Sequence, residues 1–196
     1  MINVNVPELA KKIHQNAVAH GWWETERDDE ESLALIHSEW AEALEEYRAN
    51  RPLAWHKCLY NGGMCETQNV HQGEFDCRIC TPGKRKPEGI AVELIDGCIR
   101  ILDYLEYKGY PIPPMELIER TVEMMTMPPK KLPYHIEKLH KYTALADENL
   151  DNGHLIDAFC MAFRWIEDQG MDPFEIMLKK HEYNKTRPYK HGGKVC

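Results

Sequence analysis

No apolar run in this 196-residue chain is long enough to cross a bilayer. No secretory leader precedes Met1-Ile2-Asn3-Val4, so a cytoplasmic protein without a membrane partner is expected. Net positive charge is missing as well. The 24 Lys and Arg stand against 32 Asp and Glu, for a formal charge of −8, whereas binding a nucleic-acid backbone needs a basic surface; nucleic acid is not the expected ligand. Alternation of apolar and polar residues in twos is nearly absent, and apolar positions recur instead at three and four, the helical pattern. The seven cysteines are an odd number, which favours thiols or metal ligands over a disulfide framework. With 43% hydrophobic residues, the chain can bury a core as a single domain.

The expectation is one all-α domain over 1–196, built as a helical bundle. A first helix opens at Pro7, aligns Leu9, Ile13, Ala17 and Val18 on one face and stops at Gly21. A second runs from about Asp29 to Arg48 with Leu33, Ile36, Trp40, Ala43, Leu44 and Tyr47 as its packing stripe. Residues 53–86 read as a Cys-rich loop insertion. A third helix follows Pro87 and ends at Gly109, before Pro111, Pro113 and Pro114. It is apolar over most of its circumference, with Glu93, Asp96, Arg100 and Asp103 within a sector of about 80° at ideal helical spacing. Such a helix belongs at the centre of a bundle, its acidic stripe turned to solvent or to a polar cavity. Further helices are expected near Met115 to Met127, Pro133 to Asn149, His154 to Gln169 and Pro173 to Asn184, followed by a basic tail.

Residues 112–172 are additional helices with a hint of repetition. Leu94 to Gly109 and Leu155 to Gly170 share five identities in sixteen positions, including Leu-Ile-Asp at the start and Gly at the end. A degenerate duplication and a pair of ordinary core helices ending in glycine caps both account for this.

Two acidic pairs carry the chemistry: Glu39-Trp40-Ala41-Glu42 and Glu93-Leu94-Ile95-Asp96. Side chains three apart on a helix point the same way. Four carboxylates on two facing helices would repel one another unless a divalent cation lay between them, and Mg²⁺ suits hard oxygen donors. The alternative is a pair of solvated acidic faces, although the third helix lacks the Lys that usually accompanies such faces until Lys108. A second metal candidate is the spacing C-x6-C-x11-C-x2-C of Cys58, Cys65, Cys77 and Cys80. It reads as a structural zinc knuckle, as free thiols or a redox pair, or as a site where His56 or His71 replaces a cysteine. Cys98 and Cys160 are expected in the core.

The run from Leu35 to Arg48, followed by Gly89 to Asp96, resembles the MazG-like family of all-α nucleoside triphosphate pyrophosphohydrolases, marked by a Glu-x-x-Glu helix and then a Glu-x-x-Asp helix. The ending Glu182 to Lys194 resembles tails of its members, including phage-type ones, and Ile13 to Val18 with Gly21-Trp22-Trp23 resembles their first helix. The likeness covers roughly 7–50, 87–109 and 173–194. It implies an all-alpha NTP pyrophosphatase fold and a Mg²⁺-dependent enzyme that hydrolyses a nucleoside triphosphate to a monophosphate and pyrophosphate. In it Glu39, Glu42, Glu93 and Asp96 would hold Mg²⁺, and a homo-oligomer, dimer or tetramer, is implied too.

Around that quartet, Glu46 is either a general base for the water or a surface glutamate, and Arg100 either contacts phosphate or pairs with Asp103. Lys180, Arg187 and Lys194 are candidate outer clamps on the polyphosphate, with Asn184 as a further phosphate contact, if the tail folds over rather than remaining a disordered terminus. Trp22, Trp23 and Trp40 are candidates for an aromatic wall against the base, or for the core; His14 and His37 read as surface or capping histidines. The competing class is a non-catalytic helical module whose zinc knuckle contacts protein or nucleic acid.

Overall fold

A computed structural model describes residues 4–58, 64, 85–149 and 152–190. Among the described residues the protein is all-α apart from one two-stranded ribbon. The helices are α1 (Val6–Ala19), α2 (Asp29–Arg48), α3 (Ile90–Lys108), α4 (Met115–Met124), α5 (Leu132–Asn149), α6 (Gly153–Asp168) and α7 (Pro173–Lys185), with strands β1 (Trp55–Cys58) and β2 (Arg85–Glu88) between α2 and α3. None of these helices is long and apolar enough to cross a membrane.

Side-chain caps start three of these helices. The side chain of Asn5 accepts from the Glu8 amide, that of Asp28 from the Glu31 amide at 2.7 Å, and that of Asp172 from the amides of Phe174 and Glu175. α3 lies at the centre, touching α1, α2, α6 and α7, and thirteen of its nineteen residues are buried. That burial explains why apolar side chains surround it on almost every side. α5 and α6 pack on α2 and α3 and extend the same core, which includes Ile136, Leu139, Phe159, Phe163 and Trp165.

α2 packs tightly on α3 in the core. The fully buried Trp40 lays its ring against Gly97, while its indole nitrogen donates to Thr143 Oγ1 of α5 at 3.1 Å. A Cβ on Gly97 would stand 2.8 Å from Trp40 Cε3 and nearer still to Cζ3 and Cη2. Trp40 is therefore a core residue and is removed from the candidate base wall.

Two expectations are corrected. Residues 85–88, read as the tail of a loop and the start of the third helix, form β2, which pairs antiparallel with β1 in the register Trp55 with Glu88 and Cys58 with Arg85. The helix begins only at Ile90. A four-residue strand containing a proline shows no usable alternation, and it is the pairing itself that specifies it. α4 ends at Met124 rather than Met127.

Because the ring of Trp40 is held at both ends, Gly97→Ala is expected to destabilise the fold by about 1–3 kcal/mol through overpacking, although alanine is the better helix former. Urea unfolding at equilibrium measures the loss.

Candidate functional site

α2 and α3 bring their acidic residues together. Glu39, Glu42 and Glu93 each offer a carboxylate oxygen within 4.8 Å of the others, the one such group of three or more His, Cys, Asp or Glu ligands among the described residues. Glu39 and Glu93 are buried, at 5% and 2% exposure, whereas Glu42 is exposed. The expected quartet is thus a trio. Asp96, one turn beyond Glu93, pairs instead with Lys180 Nζ at 2.7 Å.

Cations frame the carboxylates. Arg100 Nε donates to Glu39 Oε1 at 2.5 Å, which settles its pairing with Glu39 rather than Asp103. Lys180, 1% exposed, also donates to the carbonyl of Pro87 at 3.2 Å. It is an internal counter-ion and not the outer clamp expected of it. Glu88 of β2 hydrogen-bonds Glu93 and pairs with Lys86 at 2.7 Å.

Electrostatics follow from this burial. Burial first, then the neighbouring charge of Asp96, pushes Glu93 up to about 9 despite Lys180. Burial also pushes Glu88 up, but its hydrogen bond with Glu93 and its contacts with Lys86 outweigh that and hold it below the usual range. Glu93 and Glu88 thus share a hydrogen bond in which burial pushes Glu93 upward while Glu88 is held low. Glu39 is raised by burial, which Arg100 opposes and Asp96 and Glu42 reinforce. Burial works against the charge on Arg100 and Lys180, but the carboxylates beside them raise both, so both stay cationic.

α7 contributes one further stripe. Lys180 and Asn184 are one turn apart, and Arg187 follows just beyond the helix end. Asn184 Oδ1 is buried with no hydrogen-bond partner among the described residues. Arg187 is half-buried, in the field of Asp96, Glu39 and Arg100, and its guanidinium forms no ion pair among the described residues.

Other candidates lie elsewhere. Glu46 accepts from Trp55 Nε1 at 2.7 Å, which ties it to β1. Trp23 donates to both oxygens of Asp103 at 3.1 Å and stacks on Tyr107 at 3.9 Å, with the Arg27 guanidinium 5.0 Å from its centroid. His14 Nδ1 also reaches Asp103, at 2.7 Å. Trp22 is half-buried in the turn after α1 and offers its carbonyl to Arg27. His37 Nδ1 lies 2.7 Å from His140 Nδ1 of α5, an interhelical pair rather than a cap. Cys58 is buried at the end of β1, and Cys98 and Cys160 are in the core as expected. Cys65, Cys77, Cys80, His71 and Lys194 lie outside the described residues.

Sequence reasoning missed Glu88 and Lys86. No periodicity marks a carboxylate in a short strand, and only the pairing of β2 beside the start of α3 brings Glu88 to Glu93.

No protein-family model, curated protein or solved structure matches the chain.

The donor set fits a hard divalent cation: all oxygen, two of three carboxylates buried, and one of them pushed upward by burial, where a bound cation would compete with the proton. A carboxyl group whose folded pKa is raised stabilises the fold below its unfolded value, and that contribution is lost as pH rises through the folded value. From the ordinary 4.5 to about 9 for Glu93, the metal-free protein is expected to lose thermal stability. Mg²⁺ should restore it with release of protons, and Glu93→Gln should flatten the slope. Melting temperature against pH, with and without MgCl₂, checks all three.

Proposed function

We propose that this protein is a Mg²⁺-dependent nucleoside triphosphate pyrophosphohydrolase with the all-alpha NTP pyrophosphatase fold of the MazG-like enzymes, acting in the cytoplasm as a dimer or tetramer. The observation that carries the reading is the convergence of Glu39, Glu42 and Glu93 within 4.8 Å, on the two helices whose motifs resemble that family. The cationic and amide stripe of α7 beside it supports a polyphosphate rather than a bare ion as the ligand.

Glu39, Glu42 and Glu93 would hold Mg²⁺, which when bound offsets charge on the phosphate chain and makes water a competent nucleophile at neutral pH. Arg100 orients Glu39 and opposes the upward push that burial exerts on its carboxyl. Lys180 pairs with Asp96 and balances the charge of that carboxylate beside the trio. Arg187, with no ion pair of its own among the described residues, and the unpartnered Asn184 Oδ1 are left to meet the substrate and its hydration.

In the reaction a water oxygen forms a bond to the α-phosphorus. The bond from that phosphorus to the α–β bridging oxygen breaks, and pyrophosphate leaves with the electron pair. The water proton passes to Glu42, the exposed member of the trio, in preference to Glu46, which is committed to Trp55.

Glu42→Gln is expected to lower pyrophosphate release by on the order of 100-fold with folding retained. The assay screens nucleoside triphosphates with Mg²⁺ and separates pyrophosphate from orthophosphate. Metal-independent release that is equal in both proteins, or none from either across the panel, would favour the non-catalytic binding module.

A further inference from the structure

The segment that follows α7 doubles back onto the turn between α1 and α2. Both ring nitrogens of His20 face carbonyl oxygens, Nδ1 that of Asn16 at 2.8 Å and Nε2 that of Arg187 at 3.0 Å. A carbonyl only accepts, so the ring nitrogen that carries a proton donates to the carbonyl it faces. The amide of Lys190 in turn donates to the carbonyl of His20 at 3.0 Å. Lys190 Nζ pairs with Glu24 Oε2 at 3.0 Å, and the same carboxylate accepts from the hydroxyl of Tyr189. Between these two attachments the hydroxyl end of the Tyr189 ring abuts Gly21.

Gly21 is required there on two counts. Its φ of +79° suits glycine, and a Cβ would come within 2.5 Å of Tyr189 Cε2 and Oη. The backbone is thus held on both sides of Arg187: by the last turn of α7, where the Arg187 amide donates to Asn184 O at 3.2 Å, and by the contacts from His20 to Lys190 beyond it. Among the described residues Arg187 has no ion pair to hold its guanidinium toward the carboxylates, and two like charges, Arg187 and Arg100, sense one another across the site. Left to its side chain alone, Arg187 would swing to solvent and regain its hydration and rotamer entropy.

We propose that the contact of Tyr189 with Gly21, closed by Glu24 and Lys190, is a latch that positions Arg187 on the polyphosphate of the substrate. Gly21, Tyr189 and Glu24 are positioning residues: they act through Arg187 and touch neither the cation nor the substrate. The proposal rests on the pyrophosphohydrolase reading, since it takes the anion at the carboxylate trio to be a polyphosphate.

The test measures binding of inorganic tripolyphosphate to the full-length, Mg²⁺-saturated protein by calorimetry, with Mg²⁺ binding alone measured in parallel. Arg187→Ala is expected to weaken tripolyphosphate about tenfold or more, as loss of a charge-assisted contact. Tyr189→Ala and Gly21→Ala should each weaken it by about three- to tenfold, part of that same contact, without altering Mg²⁺ affinity. Tyr189→Ala added to Arg187→Ala should cost nothing further, because the latch has no other route to the ligand. Tyr189→Ala leaving tripolyphosphate affinity unchanged would overturn the latch, as would a loss that persists undiminished in the Arg187→Ala background. Wild-type protein that binds Mg²⁺ but no tripolyphosphate would overturn the pyrophosphohydrolase reading, and the latch with it.

Discussion

Burying negative charge between α2 and α3 is the constraint around which the molecule is arranged. Glu39 and Glu93 sit in the seam of the most intimate helix pair in the core, directly beside the Trp40–Gly97 contact. Charges placed there without partners would cost several kcal/mol each. Three devices offset that cost: a guanidinium on Glu39, an ammonium on Asp96, and a hydrogen bond between Glu93 and Glu88. Each comes from a different part of the chain, so the acidic seam also dictates where α7 and β2 must dock.

The docking of α7 follows from Lys180. A lysine at 1% exposure is tolerable only against carboxylate and carbonyl oxygens, and these lie at Asp96 and at Pro87, at the entry to α3. Once Lys180 is inserted, Asn184 and Arg187 face the same seam, and the chain beyond them can reach the turn after α1. A site that looks like two helices in the sequence is therefore a four-part assembly of α2, α3, α7 and β2.

The helices were legible because the core demands the apolar periodicity from which they are read. Asp29–Arg48 and Pro173–Lys185 agree with expectation to within a residue, their starts marked by Asp28 and Asp172. The acidic pairs of α2 and α3 were legible as pairs, since a spacing of three is a local property. Harder to see were the partners. Glu46 looked like a neighbour of the metal site from its place on the helix, yet an indole from β1 claims it. Trp23 looked like a free aromatic face, yet Tyr107 and Asp103 occupy it. In both cases the deciding group lies on another element, and nothing in the spacing of one helix reports it.

Glu88 makes the same point from the other direction. Its neighbours in the sequence gave no reason to single it out, and its importance comes from the ribbon that lays β2 against β1 and carries it to Glu93. Periodicity, capping residues and paired acids are encoded within a few residues of one another, so helix positions and the acidic faces follow from the amino-acid order alone. Which carboxylates converge, which are neutralised by Arg100 or Lys180, and which have their pKa pushed upward depend on burial and on charges brought from 60 to 90 residues away, as in the pairs of Glu39 with Arg100 and Asp96 with Lys180. Those energies exist only once the core has closed around them.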